Sequence, residues 1–271
     1  MFKFYLKKNI ADGWDNFFFL ILSNIIPLLL VIGSYFAIGL AATVNPLAQA
    51  GAFILCAGLV STSIFAWGAN AAKIADFGTP TFSVFFSSIK YVWKIGLAFG
   101  AFLAIGFLVL RFGIAYYLAM YLRDGTKIGL LLTAVLAWFV LVCIIALQWF
   151  IPLYYLQESN GFVKCLKKSF IIFFDNAGFS VKVFFYNILL VALSVMIIGL
   201  VPGFCGILLS STNALRLRLY KYDWFEKKAA EDPEFMNNRD KRDEVPWDEL
   251  LSDDKESLGP RKLSSFLFPW K

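Results

Sequence analysis

Few side chains in this chain of 271 residues could carry chemistry, and those few are scattered along it. The chain has no histidine, which removes the commonest general base and the commonest metal ligand. Serines are numerous, but no base accompanies them in the apolar part, and no glycine-rich phosphate loop precedes a lysine. The cysteines stand apart without a C-x-x-C pair, and we interpret them as small buried apolar residues: Cys56, Cys143, Cys165 and Cys205. We therefore expect no enzymatic activity, no cofactor and no metal.

Four polar side chains lie inside long apolar runs and are the candidates for contacts within a membrane. Arg111 is the only charge well inside a predicted span. Three interpretations stay open for it: snorkelling to the outer surface, contact with a substrate or lipid headgroup, and a hydrogen bond to a neighbouring helix. Asn24, Gln148 and Asn187 favour hydrogen bonds between helices over a binding site. No Asp or Glu occurs inside a predicted span, which argues against proton-coupled transport.

A second set of residues recurs at equal spacing. The motif L-K-K-x5-[WF]-D-N occurs once near the N-terminus and again 160 residues later. Each copy ends a basic, Phe-rich segment, which is typical of a helix in the lipid headgroup layer with its lysines directed to water. The aspartate of each copy is predicted to cap the helix that follows. The two copies are Leu6, Lys7, Lys8, Trp14, Asp15 and Asn16, and Leu166, Lys167, Lys168, Phe174, Asp175 and Asn176.

The elements that must position these residues are predicted to be membrane-spanning helices in an all-α, polytopic fold. Hydrophobic residues make up 59% of the chain and charged residues 16%, whereas a soluble domain has about 45–50% and about 25%. Closely spaced small residues in the second and third spans, Gly96 and Gly100 among them, favour close helix packing. Five spans with a broken last helix is the alternative to six. The six predicted spans are residues 16–42, 47–71, 95–121, 128–156, 179–200 and 203–219.

The charges indicate how these helices are oriented. Residues 1–220 carry 15 Lys and Arg against 6 Asp and Glu, and residues 221–271 carry 10 against 13. With six spans, nearly all basic residues of the first part fall on one side, which in membrane proteins is the cytoplasmic side. We therefore predict a multi-pass protein of the bacterial inner membrane with both termini in the cytoplasm. Nucleic-acid binding is not expected, because no soluble domain carries basic residues among stacking aromatics.

The membrane domain, residues 1–220, divides into three units at 1–80, 81–160 and 161–220. Each unit is predicted to consist of an amphipathic interfacial helix followed by a hairpin of two spans. The first and third units share the motif above, whereas the middle unit has neither L-K-K nor D-N. These observations favour an internal threefold repeat, as some transporters have, and chance recurrence of Phe, Lys and Leu is the alternative.

This arrangement resembles the YesL-like family of bacterial integral membrane proteins, a family of unknown function. The resemblance covers roughly residues 10–215 and rests on paired spans, with segments such as 82–94 and 165–176 placed just before a span. Members of that family are often encoded beside sugar-uptake transporters, so the resemblance implies an accessory role in carbohydrate uptake. The long charged tail departs from the family's usual short end.

Residues 221–271 are predicted as a cytoplasmic tail that is largely disordered, with short helices at 224–230 and 247–251. The aromatic end, residues 261–271, is expected to return to the protein's own membrane or membrane domain, or to bind a separate partner.

The leading expectation for function is a non-enzymatic accessory or scaffold component. A small-solute or lipid transporter is the alternative, motivated by the repeat and Arg111, and a membrane-embedded enzyme comes third. The expected partners are membrane lipid and either another membrane protein or further copies of this chain.

Overall fold

The computed structural model describes residues 1–232, 235 and 245–260, and these residues form helices without any strand. The prediction of an all-α fold is therefore confirmed. In chain order the helices are α1 (Phe2–Asp15), α2 (Phe17–Ala42), α3 (Pro46–Ala75), α4 (Phe82–Asp124), α5 (Lys127–Leu147), α6 (Phe150–Leu156), α7 (Phe162–Asp175), α8 (Ala177–Met196), α9 (Gly203–Glu231), α10 (Trp247–Leu250) and α11 (Ser252–Leu258).

Five of the described stretches are long and apolar enough to span a membrane, which indicates a membrane protein. They agree with the first five predicted spans. The sixth predicted span, residues 203–219, forms the first part of α9. This part is less apolar than the five stretches because it carries Asn213, Arg216 and Arg218. The five stretches are Phe17–Ala42, Pro46–Ala75, Phe82–Asp124, Lys127–Leu156 and Ala177–Met196.

Helix α9 is the centre of the fold. It packs against α1, α2, α3, α6 and α8, and 12 of its residues between Gly203 and Leu217 are buried. The indole nitrogen of Trp67 on α3 donates a hydrogen bond of 3.1 Å to the carbonyl of Cys205. Because neighbouring helices cover this part of α9, its polar side chains face protein rather than lipid, and strong hydrophobicity is not required of it.

Helices α3 and α4 pack closely through glycines, as the small-residue spacing predicted. A Cβ atom on Gly100 would lie 2.3 Å from the carbonyl oxygen of Ala57. A Cβ atom on Gly96 would lie 2.6 Å from the Cα of Thr62. Both distances are far below van der Waals contact, so this approach of the two backbones requires glycine at both positions.

Helix α4 corrects the prediction of a separate interfacial helix in the second unit. Residues 82–124 form one helix of 43 residues, which is about 64 Å long at the usual rise and exceeds a bilayer core of about 30 Å. The hydroxyl of Thr81 accepts from the backbone of Val84 and begins the helix. No Asn or Pro interrupts the sequence between Thr81 and Ile95, so nothing divides the basic aromatic segment from the apolar one.

The predicted fourth span, residues 128–156, is interrupted after Leu147 and resumes at Phe150. Pro152 has no N–H and cannot bond to the carbonyl of Gln148, which weakens the helix at this point. The side chain of Gln148, at this interruption, donates a hydrogen bond to the carbonyl of Ser180 on α8.

The two helical segments predicted in the tail, residues 224–230 and 247–251, are helical or nearly so, but their setting differs from the prediction. Helix α9 continues without a break across residue 220, where the sequence places the domain boundary, and includes residues 224–230. Residues 247–250 and 252–258 are helical and pack against the membrane domain, with Leu251 buried in its core. The predicted aromatic end, residues 261–271, lies outside the described residues.

A polar network around helix α9 as the candidate functional site

Two of the predicted intramembrane amides, Gln148 and Asn187, meet beside α9. Asn187 Oδ1 accepts from Ser210 Oγ at 2.6 Å, and Asn187 Nδ2 donates to Ser211 Oγ at 3.0 Å and to Gln148 Oε1 at 3.4 Å. The Gln148 Nε2 donates to the carbonyl of Ser180 at 3.1 Å. These bonds join α8, α9 and the break between α5 and α6 through one cluster of amides and hydroxyls.

The cluster extends to α1, which the sequence did not indicate. The hydroxyls of Tyr5 and Ser210 lie 2.6 Å apart. Asn9 Nδ2 donates to the hydroxyl of Tyr186 at 3.1 Å, and Asn213 Nδ2 donates to Asn9 Oδ1 at 3.2 Å. The run of four polar residues at 210–213, inside an otherwise apolar stretch, was the signal in the sequence that could have located this contact.

Helix α1 is therefore docked on protein, and the prediction that its lysines are directed to water is wrong for Lys8. The Lys8 side chain has no exposed surface; its Nζ lies 2.9 Å from Asp12 Oδ2 and 3.7 Å from the centre of the Phe77 ring. Burial lowers the pKa of Lys8 and raises the pKa of Asp12, and the opposite charge of each partner counteracts part of the shift. Asp12 compensates the Lys8 charge, which has no access to water because α1 packs on protein.

Asn24 lies apart from the network and holds the turn between α8 and α9. Its Nδ2 donates to the carbonyls of Leu200 at 3.0 Å and Pro202 at 2.8 Å. Its Oδ1 accepts from the backbone N–H of Cys205 at 2.8 Å. A Cβ atom on Gly203 would lie 2.4 Å from the Asn24 amide carbon, so the side chain is enclosed by this turn.

Arg111 contacts neither the polar network around α9 nor the turn that Asn24 holds. It lies on the exposed side of α4, next to Phe112, which is 80% exposed. No hydrogen bond or ion pair of the Arg111 guanidinium is found with the residues that the structure describes.

The asparagines of the repeated motif have the same local geometry in both copies. Asn16 and Asn176 each follow a helix of 14 residues and precede a longer one. Each Nδ2 donates to the carbonyl four residues earlier, at 2.9 Å to Asp12 and at 3.2 Å to Ile172. The asparagine thus ends one helix and turns the chain into the next.

The prediction that the aspartates cap α2 and α8 is wrong, because Asn16 and Asn176 occupy the N-cap positions and make no side-chain cap bond there. Asp175 instead accepts from the hydroxyl of Tyr222 at 2.6 Å and from Lys221 Nζ at 3.3 Å.

The lysines of the motif have different surroundings in the two copies. Lys8 is buried beside Asp12, whereas its counterpart Lys168 donates to the side chains of Gln157 and Asn160. Lys7 Nζ donates to the carbonyl of Gly259, whereas its counterpart Lys167 is exposed. The leucines at 6 and 166 both pack on the core, and Trp14 and Phe174 are both exposed. The two copies therefore share their backbone path and the setting of their leucine and aromatic positions, but not the contacts of their lysines.

The amides and hydroxyls of the network bind one another, except that Asn213 Oδ1 is buried without a hydrogen-bond partner among the described residues. No group of three His, Cys, Asp or Glu in the described part of the chain could hold a metal ion. The chemistry of the network is that of hydrogen bonds between helices. Comparisons of this chain with protein-family models, with curated proteins and with solved structures find no match.

Proposed function

We propose that this chain is a six-span protein of the bacterial inner membrane in which α9 is the sixth span, shielded from lipid by its neighbours. The Lys and Arg residues between the predicted spans support cytoplasmic termini. Residues 197–202 join α8 to α9, and the two helices pack on each other, which supports a hairpin over one broken span.

We further propose that the protein works as a non-enzymatic accessory or scaffold component, and the family resemblance suggests carbohydrate uptake as its setting. The observation that supports this proposal is the use of the buried amides. Both N–H groups and the oxygen of Asn24 are bonded to backbone, and Asn187 and Gln148 are bonded to each other and to serines. Polar groups committed in this way stabilise a fixed body and leave little capacity to bind a polar substrate.

Purification of the tagged protein from its native membrane in a mild detergent tests the scaffold proposal. We expect a permease or ATPase subunit to remain bound through size-exclusion chromatography and to be identified by mass spectrometry. An unrelated polytopic protein with the same tag is the control. A homogeneous preparation of this chain alone, carrying a stoichiometric small solute, would reject the proposal.

A lipid transporter is the second candidate, and a groove between α2, α3 and α4 favours it. The groove has a volume of about 420 Å³ and is lined almost wholly by apolar atoms, including those of Tyr35, Phe53 and Phe99. Such walls suit an acyl chain better than a polar solute. Native mass spectrometry should then detect a bound lipid that is lost on Phe53→Ser but retained on Phe112→Ser, an exposed position outside the groove; retention in both variants would count against it.

A further inference from the structure

Helices α10 and α11 lie against the membrane domain through one regular face. Leu251, Asp254 and Leu258 are 1%, 4% and 6% exposed, and Trp247 is partly buried against the same core. The residues between them, such as Asp253 and Glu256, are exposed. The buried positions follow the spacing i, i+4, i+7 and i+11, by which an amphipathic helical segment is recognised in a groove.

The apolar residues of this face contact two helices of the membrane domain, α1 and α9, which together form the receiving surface. Leu258 packs with Ala11 and Phe4 of α1. The Arg218 guanidinium of α9 lies 5.3 Å from the centre of the Trp247 ring and 4.4 Å from that of Phe179. A guanidinium within about 6 Å of a ring centre is attracted to the ring electrostatically, which adds to the apolar packing of Trp247.

A carboxylate at the third position is bound by two donors of α9. Asp254 accepts from Arg216 Nη1 at 2.7 Å and from the hydroxyl of Tyr220 at 3.1 Å. The other terminal nitrogen of Arg216 donates to Asp76, at the end of α3, at 2.9 Å. An arginine held by a second carboxylate is preorganised, and the charge-assisted bond to a buried carboxylate discriminates strongly against a neutral residue.

The two surfaces are also complementary in overall charge. Residues 245–260 carry five acidic residues and one lysine. The receiving surface contributes Arg216 and Arg218, and Lys7 Nζ donates to the carbonyl of Gly259 at 3.4 Å. Opposite charges of this kind accelerate association and disfavour basic competitors.

We propose that the surface of α1 and α9 that receives residues 247–258 is a docking site for acidic amphipathic helices, and that the chain's own segment occupies it as an intramolecular competitor. A protein partner bearing an apolar–apolar–acidic–apolar face at the same spacing binds by displacing that segment. The partner in this inference rests on the proposed scaffold function, but the docking site does not, because a peptide can test it directly.

The first experiment measures binding of a fluorescent peptide of residues 245–260 to the purified full-length protein by anisotropy. In the wild-type protein the tethered segment competes at a high effective concentration, so we expect weak binding. The double substitution Leu251→Ala with Asp254→Ala should release that segment and raise the apparent affinity by about tenfold or more. Adding Arg216→Gln should abolish the gain, whereas the exposed Asp253→Ala should bind like the wild type.

A second measurement keeps the test independent of variants that fail to fold. An excess of the peptide added to the wild-type protein should accelerate amide hydrogen exchange within residues 252–258, and a peptide with Leu251→Ala and Asp254→Arg should not. Equal exchange with both peptides, or equal peptide affinity of the wild-type and released proteins, would overturn the docking site. Failure to co-purify a membrane partner would reject the scaffold function while leaving these results standing.

Discussion

Asn24 bonds three backbone groups of one short turn, and two of them would lack a partner if the amide were removed. The carbonyl of Leu200 and the N–H of Cys205 would lose their hydrogen bonds, whereas the carbonyl of Pro202 also accepts from the N–H of Gly206. At about 1–3 kcal/mol for each unsatisfied group, Asn24→Leu should destabilise the protein by at least about 2 kcal/mol. Thermal unfolding in detergent measures this loss. Ser34→Ala on the same helix, which removes only a bond to the Leu30 carbonyl, should change the midpoint little; equal shifts would show that the turn does not depend on Asn24.

The buried pair of Lys8 and Asp12 predicts a stability loss that depends on pH. Lys8→Met leaves Asp12 buried without its partner, which should cost about 3–5 kcal/mol near neutral pH. Burial raises the pKa of Asp12 above its ordinary value of 3.8, and loss of Lys8 raises it further. Between the pKa of Asp12 in the unfolded chain and its higher pKa in the folded variant, the folded variant holds a proton that the unfolded chain has released. The free energy of unfolding of the variant therefore falls as the pH rises through this range.

The matching measurement compares unfolding midpoints of the wild type and Lys8→Met between neutral pH and about pH 4. The difference should narrow toward the acidic end, where Asp12 is neutral in the folded variant. Lys3→Met, an exposed position on the same helix, is the control and should show no such trend. A difference that stays constant with pH would mean that packing, and not charge, accounts for the loss.

The sequence identifies the polar residues of the apolar helices, but it does not identify their hydrogen-bond partners. The types of Asn24, Gln148 and Asn187 identified them as intramembrane polar residues, because such residues are conspicuous against an apolar background. Which groups they bind depends on how distant helices pack, as in the 3.4 Å contact between Asn187 and Gln148. Lys7 and Lys8 share one sequence environment, so the pattern does not distinguish them. The packing of α1 on the protein buries Lys8, whose Nζ lies 3.7 Å from the centre of the Phe77 ring.

At the scale of the helix, local signals predicted most boundaries. Apolar length located the five candidate spans, and Asn16 and Asn176 end their helices where the motif placed a break. The change in composition at residue 95 predicts a boundary there, but no residue in that region stops a helix, and α4 continues through it. The pattern of α1 predicts a helix on the lipid surface, but an amphipathic helix that packs on protein, as α1 does on α9, has the same pattern.

The contact between α3 and α4 allows a paired test within one helix. Gly100→Ala places a methyl group 2.3 Å from the Ala57 carbonyl and should destabilise the protein by about 1–3 kcal/mol. Gly106→Ala on the same helix meets open space and should stabilise it by about 0.5–1 kcal/mol, because alanine favours the helix. Thermal unfolding of both variants measures the difference. Shifts of the same sign would indicate that α3 and α4 do not pack through Gly100.

At the scale of the whole molecule, the fold is built around a helix that is not itself strongly apolar. Lipid-facing helices satisfy the hydropathy rule, while α9 is enclosed by α1, α2, α3, α6 and α8. It can therefore carry Ser210, Ser211 and Asn213, which bond to side chains of α1 and α8. The proposed topology therefore depends on α9, since the side on which residues 245–260 lie follows from whether this helix crosses the membrane.

Accessibility of single cysteines to an impermeant maleimide tests that crossing in a variant whose four native cysteines are replaced by alanine. Val44 and Ile198 are 71% and 78% exposed, and Glu256 is also exposed. If α9 crosses, Val44→Cys and Ile198→Cys are labelled in intact spheroplasts, and Glu256→Cys is labelled only after lysis. Each variant must elute from size-exclusion chromatography like the parent protein. Labelling of Ile198→Cys and Glu256→Cys from one side would leave five spans and would place the docking surface on that same side as the α8–α9 turn.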